Sequence, residues 1–171
     1  TLSACVNATS QLTGSATAAA SNPWTSSNTA VATVSSTGLV TAIAPGTTTI
    51  TYTNSNGCQV TAIFTVLALP TISGTLSACV NATSQLSGSA SPATTNPWTS
   101  SNGLVATVSS TGLVTGLTAG TSTITYTNSN GCQVTATFTV NALPTISGTL
   151  SACVNATSQL TGSATAATTN P

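Results

Sequence analysis

Three features of this 171-residue chain predict an all-β fold of tandem sandwiches. Apolar residues alternate with threonine in short runs bounded by Gly, Pro, Asn and Ser, the pattern of half-buried strands. No stretch carries the three- and four-residue apolar spacing of a helix. The whole pattern also recurs: "TLSACVNATSQL" begins at residues 1, 75 and 149, a period of 74 residues. Residues 1–74 and 75–148 are identical at 60 of 74 positions, and 23 residues of a third copy follow. That period is too long for a solenoid repeat and fits an array of small independent domains.

The second copy shows the elements in order. "PTISGTL" (70–76) and "QLSGSA" (85–90) are candidate strands, and "NPWTSS" (96–101) holds a short one at Trp98. "VATVSSTGLVTGL" (105–117) reads as a hairpin, with Ser-Thr-Gly turning between Val105–Val108 and Leu113–Leu117. In "TSTITYT" (121–127), Ile124 and Tyr126 alternate with Thr123, Thr125 and Thr127. In "CQVTATFTV" (132–140), Val134, Ala136, Phe138 and Val140 alternate with Gln133, Thr135, Thr137 and Thr139. Between these two strands, "NSNG" (128–131) supplies an Asn-Gly pair that tolerates the positive φ of a tight hairpin. About seven short strands at this spacing indicate a sandwich. The expected segments are a first sandwich over 1–69 lacking its first strand, a complete second over 70–143, and the first strands of a third over 144–171. Both ends fall inside a unit, as expected of an excerpt from a longer periodic chain or of partial domains completed by neighbouring copies.

The composition excludes several functions. The chain has no Lys, Arg, Asp, Glu or His. General acid–base catalysis needs a group titrating near working pH, and a nucleophilic Ser or Cys needs a neighbouring base, so no enzymatic activity and no catalytic residue is expected. Hard cations want carboxylates and zinc sites usually combine His with closely spaced Cys, so no metal and no cofactor is expected. Without Lys or Arg there is no handle on phosphate backbones or anionic lipid, which sets aside nucleic acid and charged membranes. Near-zero charge removes the repulsion that keeps proteins apart, so association with copies of itself is expected. Thr and Ser make 65 of 171 residues against 40% apolar ones, a mixture suited to sheets rather than to disorder. The longest apolar runs fall far short of the roughly 18 residues that would span a bilayer as a helix.

Residues 23–53, "PWTSSNTAVATVSSTGLVTAIAPGTTTITYT", and the second copy from Pro97 carry Trp, Ser-Ser-Asn, Val-Ala-Thr-Val, Gly-Leu-Val-Thr and Gly-x-x-x-Ile-Thr in order. This series resembles the signature of bacterial immunoglobulin-like domains of group 2 (Big2). "SACVNATSQL" and "NSNGCQVTA" more narrowly resemble giant repetitive secreted surface proteins and adhesins of the Bacteroidota. The resemblance implies tandem immunoglobulin-like β-sandwich domains at an extracellular cell surface. The absence of acidic residues departs from related arrays whose linkers are stiffened by calcium.

Trp24 and Trp98, one per unit, are expected in the core, as the tryptophan of such sandwiches is, with Tyr52, Tyr126, Phe64 and Phe138 on the same apolar faces. Regular threonine rows are also what ice-binding surfaces use, but ordinary β-propensity already accounts for them. Asn7, Asn81 and Asn155 each stand in Asn-Ala-Thr, a glycan-acceptor pattern that equally fits a polar turn.

Cys5, Cys58, Cys79, Cys132 and Cys153 occupy two repeat positions, after Ser-Ala and after the Asn-Ser-Asn-Gly hairpin, and read as a disulfide framework in an oxidising, extracellular setting. Three pairings obey the repeat: Cys5–Cys58 with Cys79–Cys132 inside units, Cys58–Cys79 with Cys132–Cys153 between units, or Cys5–Cys132. Loop entropy gives about 4.2, 3.4 and 4.9 kcal/mol per bond, too close to choose. In an immunoglobulin-like sandwich the two positions tend to lie at opposite ends, which favours a bond between domains. A 74-residue domain, burying only about 60% of its unfolded surface, gains most from an internal clip, and the within-unit pairing is the expectation. The functional expectation is the shaft of a surface fibre, filament or adhesin whose partners are its own repeats or copies. The alternative is an adhesin module whose loops at the domain ends bind a surface glycan or a host surface.

Overall fold

A computed structural model describes residues 2–164; Thr1 and residues 165–171, which the expected first and third segments include, lie outside them. The first repeat forms β1 (Ser3–Cys5), β2 (Thr9–Gln11), β3 (Trp24–Ser26), β4 (Ala32–Val34), β5 (Leu39–Ala42), β6 (Gly46–Thr53) and β7 (Gln59–Leu67). The second forms β8 (Ile72–Gly74), β9 (Ser77–Cys79), β10 (Thr83–Gly88), β11 (Trp98–Ser100), β12 (Ala106–Val108), β13 (Leu113–Gly116), β14 (Gly120–Thr127) and β15 (Gln133–Asn141). After it, β16 (Ile146–Gly148) and β17 (Leu160–Gly162) pair antiparallel. No helix occurs among the described residues.

Two sheets per repeat make each an immunoglobulin-like sandwich. In the first, the orders are β1-β7-β6-β3 and β2-β5-β4; in the second they are β11-β14-β15-β9 and β12-β13-β10-β8. The first core lies between its sheets, because Ala32, Val40 and Ala42 come from one and Ile50, Phe64 and Val66 from the other. Each larger aliphatic or aromatic side chain buried this way contributes about 1.5–3 kcal/mol, the main return on a chain with no charges to pair. In the second repeat Leu86, Trp98, Ala106, Val114, Ile124, Tyr126, Phe138 and Val140 are buried.

Period two sets these faces. Along β6, Thr48, Ile50 and Tyr52 point inward while Thr47, Thr49, Thr51 and Thr53 lie on the other face. Antiparallel register places Thr51 opposite both Thr25 and Thr61, so a row of threonines crosses β3, β6 and β7. The two hairpins share one turn. In Asn128–Gly131 the Gly131 N–H donates to the Asn128 carbonyl (2.9 Å), and glycine alone takes the positive φ, 79°. The Asn128 side-chain Oδ1 accepts from the N–H groups of Asn130 (3.0 Å) and Cys132 (2.9 Å). Ser109–Gly112 repeats the pattern, with Gly112 at φ 85° and the Ser109 hydroxyl accepting from Leu113 N–H (3.0 Å). The asparagine before the glycine keeps a negative φ, so only half of the expected Asn-Gly pair uses that freedom.

β1 and β9 were not anticipated from the sequence. Each is three residues of Ser-Ala-Cys pairing parallel with the last strand of its repeat: Ser3, Ala4 and Cys5 lie opposite Thr65, Val66 and Leu67, and Ser77, Ala78 and Cys79 opposite Thr139, Val140 and Asn141. The described residues divide into two compact units, residues 2–73 with 87–98 and 125–135, and residues 74–86 with 99–124 and 136–164.

Candidate functional site

Within each repeat the tryptophan lies against the tyrosine. Trp24 and Tyr52 are directly paired across β3 and β6, with ring centroids 4.5 Å apart and planes tilted by 43°; Trp98 and Tyr126 repeat this at 4.6 Å and 42°. Such a contact adds about 0.5–1.5 kcal/mol to area burial. The Tyr126 hydroxyl donates to the Ala90 carbonyl (2.8 Å), and Tyr52 makes the equivalent bond to Ala16. The ring fits because the opposing residue is glycine: a Cβ on Gly88 would stand 2.3 Å from the Tyr126 ring, and one on Gly14 2.2 Å from Tyr52. Phe64 and Phe138 are fully buried, and Tyr52, Tyr126 and Trp98 are buried, whereas Trp24 is half-buried. Trp24 lines a cleft of about 360 Å³ with Leu12, Gly14, Tyr52, Val60 and Ala62. In the second repeat β8 runs beside β10, and the equivalents Leu86, Trp98 and Tyr126 are buried.

The Ser-Ser-Asn motif, whose part the sequence reading left unassigned, forms a buried hydroxyl relay. The Ser100 hydroxyl donates to the Ala106 carbonyl (2.6 Å), so Ser122 donates to Ser100 (2.8 Å) while accepting from the Asn102 N–H (3.0 Å). Ser122 is 3% exposed. In the first repeat Thr48 replaces it, with Asn28 N–H at 3.0 Å. Ser122→Ala, which strands a buried N–H, is expected to cost about 1–3 kcal/mol, read as a lower urea midpoint. Ser122→Thr, already built at position 48, is expected to restore it.

The disulfide connects repeats. Cys5 is bonded to Cys132, with Cα atoms 5.7 Å apart and a sequence separation of 127. Cys58, Cys79 and Cys153 are exposed free thiols. The expected Cys5–Cys58 and Cys79–Cys132 bonds are therefore corrected, and the reason is strand length. Cys5 stands opposite Leu67 at the end of β7, and Cys58 immediately precedes Gln59 at its start. Nine extended residues separate those ends by about 30 Å, several times the Cα spacing of a disulfide. The second repeat copies this, with Cys79 opposite Asn141 at one end of β15 and Cys132 just before Gln133 at the other. A within-repeat bond would need the sandwich to fold in half.

Both ends of the bond sit on rigid backbone. The hairpin that holds Cys132 is clamped by Asn128, as described above, and Cys132 is 1% exposed. On the other side the Cys5 carbonyl accepts from Ala8 N–H (3.0 Å) across a turn whose Asn7 has φ 67°. Asn81 and Asn155 take the same left-handed turn at φ 65° and 62°, and all three asparagines are exposed.

A family model described as bacterial Ig-like domain (group 2) matches residues 2–64 and again residues 71–138. No curated protein matches the chain. Among solved structures it is similar to a C-terminal 282-residue fragment of intimin in complex with the intimin-binding domain of the translocated intimin receptor. There the identity is 22% and the TM-score 0.44, over 75% of this chain and 54% of the fragment. Domains 4 and 5 of the S-layer protein SbsC give 26% identity and a TM-score of 0.30, over 72% and 73% of the two chains. The insect immune protein hemolin gives 20% and 0.29, over 66% and 35%. The chain thus spans about half the length of the intimin fragment.

Proposed function

This chain belongs to the group 2 bacterial Ig-like domains, whose model matches both repeats, and on that premise we propose that it is a structural array forming the shaft of an extracellular surface fibre or adhesin. The observation that carries this reading is the Cys5–Cys132 bond, which ties one repeat to another where a binding domain would only need to close on itself. A disulfide of this kind suits an oxidising, extracellular compartment. The outward face of β6 is a row of uncharged threonines, and the chain has no Lys, Arg, Asp, Glu or His to act as general base. On this reading the segments 1–69, 70–143 and 144–171 are each one sandwich or part of one, and the array grows by adding units.

The glycan-binding alternative would need a recognition surface common to the repeats. The cleft beside Trp24 is not one, since Leu86, Trp98 and Tyr126, the equivalents of its Leu12, Trp24 and Tyr52, are buried in the second repeat. Electron micrographs of native material are the test. A strand of nine residues spans about 30 Å, so an axial repeat of about 35–45 Å per unit, linker included, is expected. Isolated globular monomers would contradict the fibre.

A further inference from the structure

We propose that Cys79 and Cys58 are the two halves of a second staple of the Cys5–Cys132 kind, each taking the complementary cysteine of a further repeat of this same sequence, such as a second copy of the chain presents. The bond in hand defines the rule: the cysteine of a Ser-Ala-Cys strand joins the post-hairpin cysteine of the following repeat. Cys79 is the next cysteine of the first type. It lies on β9 opposite Asn141 as Cys5 lies on β1 opposite Leu67, and its carbonyl accepts from Ala82 N–H (3.0 Å) as that of Cys5 accepts from Ala8 (3.0 Å). Cys58 is the other half. Asn54 Oδ1 accepts from Asn56 N–H (3.0 Å) and Cys58 N–H (2.9 Å), reproducing the clamp that Asn128 places on Cys132.

What differs is cover. Cys132 is 1% and Asn128 3% exposed in the bonded hairpin, whereas Cys58 is exposed in the free one. The backbone of the bonded state is thus in place at both thiols before any partner arrives, so little ordering remains for the bond to impose. No charge on either surface opposes the approach. Cys153 is of the first type too and its carbonyl accepts from Ala156 N–H (2.9 Å), but residues 151–153 are not in a strand.

The oxidant is a low-molecular-weight disulfide such as glutathione disulfide. The Cys79 thiolate attacks it, forming a mixed disulfide and releasing one glutathione thiolate; the Cys58 thiolate of the second copy then attacks the Cys79 sulfur and expels the other. Two protein thiols are oxidised and one glutathione disulfide is reduced to two thiols. The contact is heterologous, so it propagates rather than closing on a dimer. In an array of copies joined this way, the shortest covalent path crosses one bond and then the 21 residues from Cys58 to Cys79 for each two repeats. Its fully extended reach is about 75 Å, against about 520 Å for the unbonded chain, a sevenfold loss of extensibility.

The inference deepens the fibre reading and rests on it, but its test is separate. The chain carrying Cys153→Ser is oxidised with glutathione disulfide at high protein concentration, run on a non-reducing gel, then digested with chymotrypsin and mapped by mass. A ladder of covalent oligomers with a Cys58–Cys79 peptide is expected, and Cys58→Ser or Cys79→Ser is expected to remove both while keeping Cys5–Cys132. Symmetric Cys79–Cys79 or Cys58–Cys58 links, or monomers capped with glutathione, would overturn the proposal. Native micrographs that show the axial repeat alongside any of those results would leave the fibre standing and reject the second staple.

Discussion

Cys5→Ala or Cys132→Ala is expected to destabilise the chain by about 2–5 kcal/mol. The bond closes a loop of 127 residues, for which the chain-entropy relation gives about 4.9 kcal/mol. The upper part of the range is expected because both cysteines stand on clamped backbone, so the folded state gives up little to reach the geometry. Guanidinium unfolding with and without reductant checks it. The reduced wild-type chain and either variant should share one lowered midpoint, and Cys58→Ala or Cys79→Ala should stay within about 0.5 kcal/mol of wild type.

Phe138→Ala is expected to cost about 3–5 kcal/mol. Phe138 has no exposed surface, and its removal leaves a cavity inside a sandwich of only 74 residues. A domain of that size holds about 4–11 kcal/mol in all, so a large share of its stability goes with one ring. The second repeat should therefore melt well below the first. Fluorescence of Trp98 in a Trp24→Phe background follows it alone, and an unchanged transition would mean that the β15 face does not form the core.

The long strands and both hairpins were readable because each signal is local. β14 and β15 alternate over eight and nine residues, and a glycine sits where the turn requires positive φ. β1 and β9 were not, because three residues cannot display a period and their partners lie about sixty positions away, Thr65 for Ser3 and Thr139 for Ser77. The same gap misled the cysteine pairing. Loop entropy is nearly flat across the alternatives, and the deciding fact, that Ser-Ala-Cys runs parallel to the last strand and so reaches its far end, is set by tertiary register. The two cysteine positions do lie at opposite ends of the sandwich, and that separation outweighs the gain a small domain would draw from an internal clip. The Ser-Ser-Asn relay was hidden for another reason, since a hydroxyl's partner depends on which face of a neighbouring strand it meets.

The most direct test pulls the chain by its two ends in a single-molecule force experiment, first oxidised and then reduced. If the array is stapled between repeats, the 127-residue loop is hidden from force until the bond is cut, and reduction releases about 440 Å of contour in one unit. Two separate releases of about 185 Å each, the lengths of within-repeat loops, or no difference on reduction, would contradict the account.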